Sequence, residues 1–180
     1  MSHTATAAAP TVIVVMGVSG SGKTTVAKGL AEAVDGTFID ADDLHSDAAR
    51  AMMGSGHPLS DDDRWPWLEK VAQAASVAAS VQSPVVVACS ALRRKYRDRL
   101  REGIDGVVFF VHASGARALL AERLRDRTGH FMLPGLLDSQ LTTLEPLGSD
   151  EDGAIVSVEG TPDEVLSRAL ASWRARANEA

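Results

Sequence analysis

A chain of 180 residues with 45% hydrophobic content is long enough for one well-buried domain and short for two. Its net charge of −6 argues against nucleic acid or an anionic membrane as the main partner, since both need broad basic surface. A single cysteine, Cys89, excludes an internal disulfide and a cysteine metal cage, and no run reaches the roughly 18 apolar residues of a membrane span.

Residues 1–10 lack a basic start and a long apolar core, so they read as a flexible tail and not as a secretory leader. The simplest location is the cytoplasm. Thr11 to Met16 is a β-branched apolar run, the pattern of a buried parallel strand. Gly17, Val18, Ser19, Gly20, Ser21, Gly22, Lys23 and Thr24 then match G-x-x-x-x-G-K-[ST], a phosphate-binding loop. Its glycines let backbone N–H groups approach an anionic phosphate chain. Lys23 brings a positive charge to the β/γ-phosphates, and Thr24 a hydroxyl to Mg²⁺. The loop, with Thr25 behind it, runs into a helix on which Val26, Ala27, Leu30, Ala31 and Val34 recur at helical spacing. Strand, glycine loop and helix are the context that the motif requires. The motif implies ATP and Mg²⁺ without specifying a reaction.

Gly36 reads as the stop of this helix. Thr37 to Ile39 is a second strand, ending in Asp40-Ala41-Asp42-Asp43. Ser46 to Met53 suits a short helix, broken by Gly54 to Pro58. Ser60 to Asp63 is an acidic helix start with Pro66 in its first turn, leading into an Ala/Val-rich helix to Val81. Pro84 to Cys89 is the most apolar strand candidate, followed by Ser90 and a strongly basic helix from Leu92 to Glu102. Val107 to His112 is a fourth strand. Ser114 is placed to cap a helix running to about Arg127. A short helix near 134–141 interrupts the otherwise irregular stretch from Gly129 to Gly148, whose length suits a lid. Ala154 to Val158 is a last strand. Thr161, Pro162 and Glu164 then make a capping box for the final helix. The alternation predicts an α/β fold: a parallel sheet with helices on both faces, three layers in all. Residues 11–180 read as a single domain with a lid around 123–148.

Asp40 and Asp42 lie two apart at the carboxyl end of a strand, where open α/β sheets bind ligands. One carboxylate suits Mg²⁺ and the other a substrate hydroxyl, whose proton it can receive. A solvated acidic turn has the same appearance. The third strand ends Ala88-Cys89-Ser90 without the aspartate that many phosphate-loop ATPases place there. That departure favours a small-metabolite kinase over a motor or switch, with Asp40 as the metal-side carboxylate. Cys89 reads as a small buried apolar residue. Arg93, Arg97 and Arg101 share a helix face, and guanidinium groups at the start of that helix suit an anionic substrate. Arg123 and Arg127, four apart, are equally suited to closing over phosphates and to pairing with Glu122 and Asp126 on a surface helix. His45, His57 and His130 each lie close to a candidate site, but without zinc-ligand company. Trp65 and Trp67 read as core.

These stretches resemble one family, the gluconate kinases, from Val12 to Leu170. The resemblance is carried by Gly17–Thr24, by Asp40–His45 and by Gly56-His57-Pro58-Leu59-Ser60-Asp61-Asp62-Asp63-Arg64-Trp65-Pro66-Trp67-Leu68. It continues through Cys89–Asp98, Gly129–Met132, Leu137-Asp138-Ser139-Gln140-Leu141 and Thr143-Leu144-Glu145-Pro146-Leu147. It implies a nucleoside-monophosphate-kinase-like fold with a mobile lid, a homodimer, and ATP-dependent phosphorylation of D-gluconate to 6-phosphogluconate, which feeds the pentose phosphate pathway. Ala41 and Ser46 depart from the usual glycine and proline of the family. By this resemblance Asp42 meets the reactive hydroxyl, and Arg64 and Arg97 hold the gluconate carboxylate with His45, Ser90, Arg93 and His130 nearby. Arg123 and Arg127 serve the lid side of ATP, Arg127 acting in catalysis alongside Lys23 and Asp42. A related kinase of a small hydroxy acid such as shikimate, and a non-catalytic nucleotide-binding regulator, are the competing readings.

Overall fold

The computed structural model describes residues 9–126 and 135–177. Five segments are strands: β1 (Thr11–Met16), β2 (Thr37–Asp40), β3 (Val85–Ala88), β4 (Val107–Ser114) and β5 (Gly153–Ser157). Between them lie α1 (Lys23–Ala33), a 3-10 turn (Ala41–Leu44), α2 (Asp47–Gly54), α3 (Asp61–Val81), α4 (Arg94–Gly103), α5 (Arg117–Arg125) and α6 (Leu136–Thr143), and α7 (Pro162–Ala177) follows β5. The strands form one parallel sheet in the order β2-β3-β1-β4-β5.

Side chains alternate across each strand, so the sheet has two apolar faces and each needs cover. Val12, Val14, Met16, Val85 and Val87 face α3 and α4, against Leu68, Val71, Tyr96 and Leu100. Ile13, Val15, Val86 and Ala88 face α1, α5 and α7, against Val26, Leu30, Leu120 and Val165. This is the three-layer α/β fold that the alternating pattern predicts. No helix among the described residues is long and apolar enough to cross a membrane.

Three local expectations are corrected. The left-handed residue that ends α1 is Asp35 (φ 52°), not Gly36. Gly36 sits one step later, where its N–H closes on Ala31 O at 2.8 Å. A Cβ there would fall 2.3 Å from the Pro84 carbonyl oxygen, so close approach is what requires glycine. Pro66 lies in the second turn of α3, because the Ser60–Asp63 capping box starts the helix at Asp61. One intrahelical bond is forgone there. Ser114 does not cap α5. It pairs with Ser157 as the last rung of β4–β5, and Ala116 opens the helix without a side-chain cap.

The connection leaving β1 runs to one side of the sheet and that leaving β3 to the other. Ligands of open α/β sheets bind outside the carboxyl ends of strands at such a reversal. Asp40 pairs with Ala88, and Ala88 with Val15. The acidic turn after β2, the Cys89–Ser90 segment and the phosphate loop therefore leave the sheet side by side.

Candidate active site

The segment 17–24 crosses from β1 to the start of α1. Gly22 is the N-cap of α1 in left-handed conformation (φ 77°), with nothing within 4 Å of where a Cβ would stand. Gly20 is also left-handed, and a Cβ there would lie 2.8 Å from the Leu120 carbonyl oxygen. The chain thus lies hard against α5 at one glycine and opens onto free space at the other, so backbone there is accessible to an anion. Three loop N–H groups are tied back to protein. Gly17 donates to Ser90 O at 3.3 Å, Ser21 to Val18 O at 3.2 Å and Ser19 to Gln140 Oε1 at 2.7 Å. Val26 is the first residue of α1 to close a helical bond, onto Gly22 O, so the N–H groups of Thr24 and Thr25 have no carbonyl partner among the described residues. The Ser21 hydroxyl lies buried beneath the loop without a hydrogen-bond partner among the described residues.

The acidic turn is built from its own side chains and from α3. Asp40 Oδ1 accepts from the Asp42 N–H at 3.0 Å and starts the 3-10 turn. Ala41 is fully buried, and Trp67 Nε1 donates to its carbonyl at 2.7 Å. The Ala41 methyl therefore fills core, and its φ is not positive. His45 stacks on Trp67 with centroids 4.2 Å apart and the rings 12° from parallel. Burial holds the His45 imidazole below its ordinary range, Asp42 opposes this, and Arg64 and Arg50 reinforce it. Its Nε2 is 4.0 Å from Asp42 Oδ1, and the Asp42 carboxylate is 68% exposed at the rim.

One buried atom reports on both halves of the site. Burial pushes the Cys89 thiol up to about 12, the charges of Asp42 and Asp40 add to the rise, and Lys23 opposes it. Lys23 and the two carboxylates thus act on one thiol at the end of β3. His45 in turn feels both Asp42 and Arg64.

The arginines separate into different roles. Arg64, in the first turns of α3, lies 5.5 Å from the Tyr96 ring, and its buried Nε has no hydrogen-bond partner among the described residues. Arg93 precedes α4, half-exposed, with Nη1 4.0 Å from Asp61 Oδ2. Arg97 departs from expectation: it is fully buried and holds no surface toward a ligand. Its Nε and Nη2 grip Glu151 at 2.7 and 2.8 Å, Nη1 donates to the carbonyls of Ala91 and Glu145, and Nη2 also reaches Pro146 O. Burial alone would raise the Glu151 carboxyl, but bonds from Arg97, the Gly148 N–H and Arg101 outweigh it and bring it to about 2. Arg97 is therefore a clamp. It holds the left-handed Ala91 (φ 43°) in the turn that carries Ser90 and Arg93.

Arg97→Ala leaves the Glu151 charge buried and half-paired, and is expected to lower unfolding free energy by about 3–5 kcal/mol in urea titrations. A loss under about 1 kcal/mol joined to a raised KM for an acidic substrate would return Arg97 to the ligand site.

Arg123 Nη2 donates to Val158 O at 2.6 Å, so this guanidinium reaches toward the loop after β5 and does not pair with Glu122. Arg127 and His130 lie outside the described residues. No group of three or more His, Cys, Asp or Glu side chains among the described residues makes a metal cage. Sequence reasoning passed over three functional supports. Trp67 read only as core, yet it props the Asp42 turn. Gln140 reaches the phosphate loop. Glu145 caps α4, its Oε2 accepting from the Arg94 N–H at 2.6 Å. The available signal was that all three lie in the stretches that carry the family resemblance, which gave none of them a partner.

A protein family described as an AAA domain matches residues 12–147. The gluconokinase of Gluconobacter oxydans is 45% identical over 92% of this chain and 93% of its own length. The crystal structure of a gluconokinase from Sinorhizobium meliloti superposes with a TM-score of 0.85 at 46% identity, covering 94% of this chain and 95% of that one. Shikimate kinase from Aquifex aeolicus superposes with a TM-score of 0.58 at 16% identity, over 94% of this chain and 99% of the other, a likeness of fold alone.

Proposed function

The chain belongs to the gluconokinase family, and from that premise we propose how its residues divide the transfer of a phosphoryl group from ATP to D-gluconate. It is an ATP-dependent gluconate kinase. The observation that carries the division of labour is the shared rim: the phosphate loop, the Asp42 turn and Ser90 leave three adjacent strands.

The donor half is the loop 17–25. Its amides hold the phosphates, and Lys23 neutralises charge that develops on the β/γ oxygens. Mg²⁺, when bound there, adds further neutralisation at those oxygens. Such an ion keeps several waters and takes only one or two protein ligands. Thr24 and the Asp40 oxygen not engaged by Asp42 N–H fit that demand. Arg123, held on the Val158 carbonyl, serves the nucleotide from α5, and Arg127, outside the described residues, is assigned to the same ligand.

The acceptor half is Asp42, His45, Ser90, Arg93 and Arg64, with His130 from the lid side. Asp42 receives the proton of the gluconate 6-hydroxyl as its oxygen bonds to the terminal phosphorus and the bond to ADP breaks. His45, held flat on Trp67, stands 4.0 Å from that carboxylate. Arg64 takes the carboxylate of gluconate with two parallel bonds, Arg93 beside it. The Arg64 Nε supports this assignment, as a buried donor without a hydrogen-bond partner among the described residues. A cytoplasmic location, supply of 6-phosphogluconate to the pentose phosphate pathway and a homodimer belong to the same reading. Val77 and Val81, exposed on one side of α3, offer apolar surface to a second copy.

The test is ADP release over a panel of acids. Gluconate should turn over and shikimate should not. Shikimate turnover without gluconate turnover overturns the substrate, and tight ATP binding without turnover of any acid favours a nucleotide-binding regulator. Arg64→Ala should raise the KM for gluconate by roughly 10–100-fold with the KM for ATP unchanged, the loss of one charge-assisted pair. An unchanged KM for gluconate would move the carboxylate site elsewhere.

A further inference from the structure

Helix α6 reaches the phosphate loop with one side-chain hydrogen bond among the described residues, beside the apolar packing of Leu137 and Leu141 in the cluster that holds Val18. Gln140 Oε1 accepts from the Ser19 N–H at 2.7 Å, across 121 positions of sequence and in a half-buried setting. The other two anchors of the loop are backbone carbonyls, Ser90 and Val18. Gln140 is thus the one side-chain anchor among these bonds.

The same segment is fastened at its far end to the acceptor half. The Glu145 N–H donates to Leu92 O at 2.7 Å, and Glu145 Oε2 accepts from Arg94 N–H. The Glu145 and Pro146 carbonyls receive Arg97. Residues 140–146 therefore bridge the loop that holds phosphate to the turn that carries Ser90 and Arg93.

We propose that Gln140 is a positioning residue for ATP: by accepting the Ser19 N–H it keeps the phosphate loop in its binding shape before nucleotide arrives. The inference rests on the kinase reading above and adds to it a residue outside the phosphate-loop motif. Its physical basis is preorganisation. A loop rich in glycine has many conformations, and binding must otherwise supply the cost of restricting them. A neutral amide oxygen suits the task, because it satisfies an N–H without placing negative charge beside phosphates. Gln140 touches no phosphate in this role; it acts through Ser19, while glycines 20 and 22 and the start of α1 remain for the anion.

Gln140→Met keeps the length and helix preference of the side chain and removes the acceptor. ATP binding to the full-length variant, measured by calorimetry without gluconate, should weaken about 5–10-fold, the equivalent of one lost hydrogen bond. The KM for ATP should rise in step, while the KM for gluconate and the melting temperature stay at wild-type values. Gln140→Glu keeps the acceptor but adds charge, so it should weaken ATP binding further as salt is lowered. Wild-type ATP affinity in Gln140→Met overturns the proposal. Tighter binding overturns it too, since Gln140 would then be a plug. A loss shared by both substrates with a lower melting temperature makes Gln140 merely structural and also overturns it. Wild-type protein is run alongside: if it fails to bind ATP or to phosphorylate gluconate, the kinase reading fails and not the inference.

Discussion

Lys23→Ala is expected to lower kcat for gluconate phosphorylation by roughly 10³-fold or more while the protein stays folded. In phosphoryl transfer the protein makes and breaks few covalent bonds itself. Positioning and charge neutralisation supply most of the rate, and Lys23 is the cation that the loop carries. Its place at the opening of α1 makes the test clean. Alanine is at least as good a helix former as lysine, and the position is half-exposed and outside the apolar core. A thermal melt within a few degrees of wild type, beside the kinetic loss, separates chemistry from stability. A variant turning over within a factor of ten of wild type would remove the phosphate-loop mechanism.

The layered fold was legible because it is written in local chemistry. β-Branched runs of four to six residues, glycine at the phosphate loop and the Thr161–Glu164 capping box each act over a few positions. Element ends were harder, since they answer to distant partners. Ser114 has the chemistry of a cap, but the β4–β5 ladder claims it as strand. Gly36 reads as the stop of α1, yet the left-handed residue there is Asp35, and Gly36 is the residue without a Cβ that lets the Pro84 carbonyl approach.

In the site the same division holds. The loop and the Asp40–Asp42 pair lie close to strand ends in sequence and could be placed on the rim directly. The arginines could not be sorted by spacing. Arg93 and Arg97 stand one helical turn apart, yet one is at the surface and the other buried on Glu151, a residue 54 positions away. Arg97 spends its donors on Glu151 and on backbone carbonyls, whereas Arg64 Nε has no hydrogen-bond partner among the described residues. That distinction belongs to tertiary packing, as does the reach of Gln140 to Ser19.

Asp42→Asn should lower kcat by about 10²–10⁴-fold and leave ATP affinity within a factor of two or so of wild type, if the carboxylate takes the hydroxyl proton. The substitution barely disturbs the turn. The backbone N–H of residue 42, not its side chain, bonds Asp40, and Trp67 holds the neighbouring carbonyl. The exposed side chain keeps its size and its oxygen facing His45, so a hydroxyl can still be oriented. What asparagine cannot do is accept a proton at neutral pH. Orientation and proton transfer therefore separate in this one variant. A large fall in kcat with the KM for gluconate nearly constant assigns Asp42 as the base, since the lost interaction is made only in the transition state. A rise in KM at constant kcat reduces it to a binding group, and the proton must then leave by another route, such as water or the transferring phosphoryl oxygens.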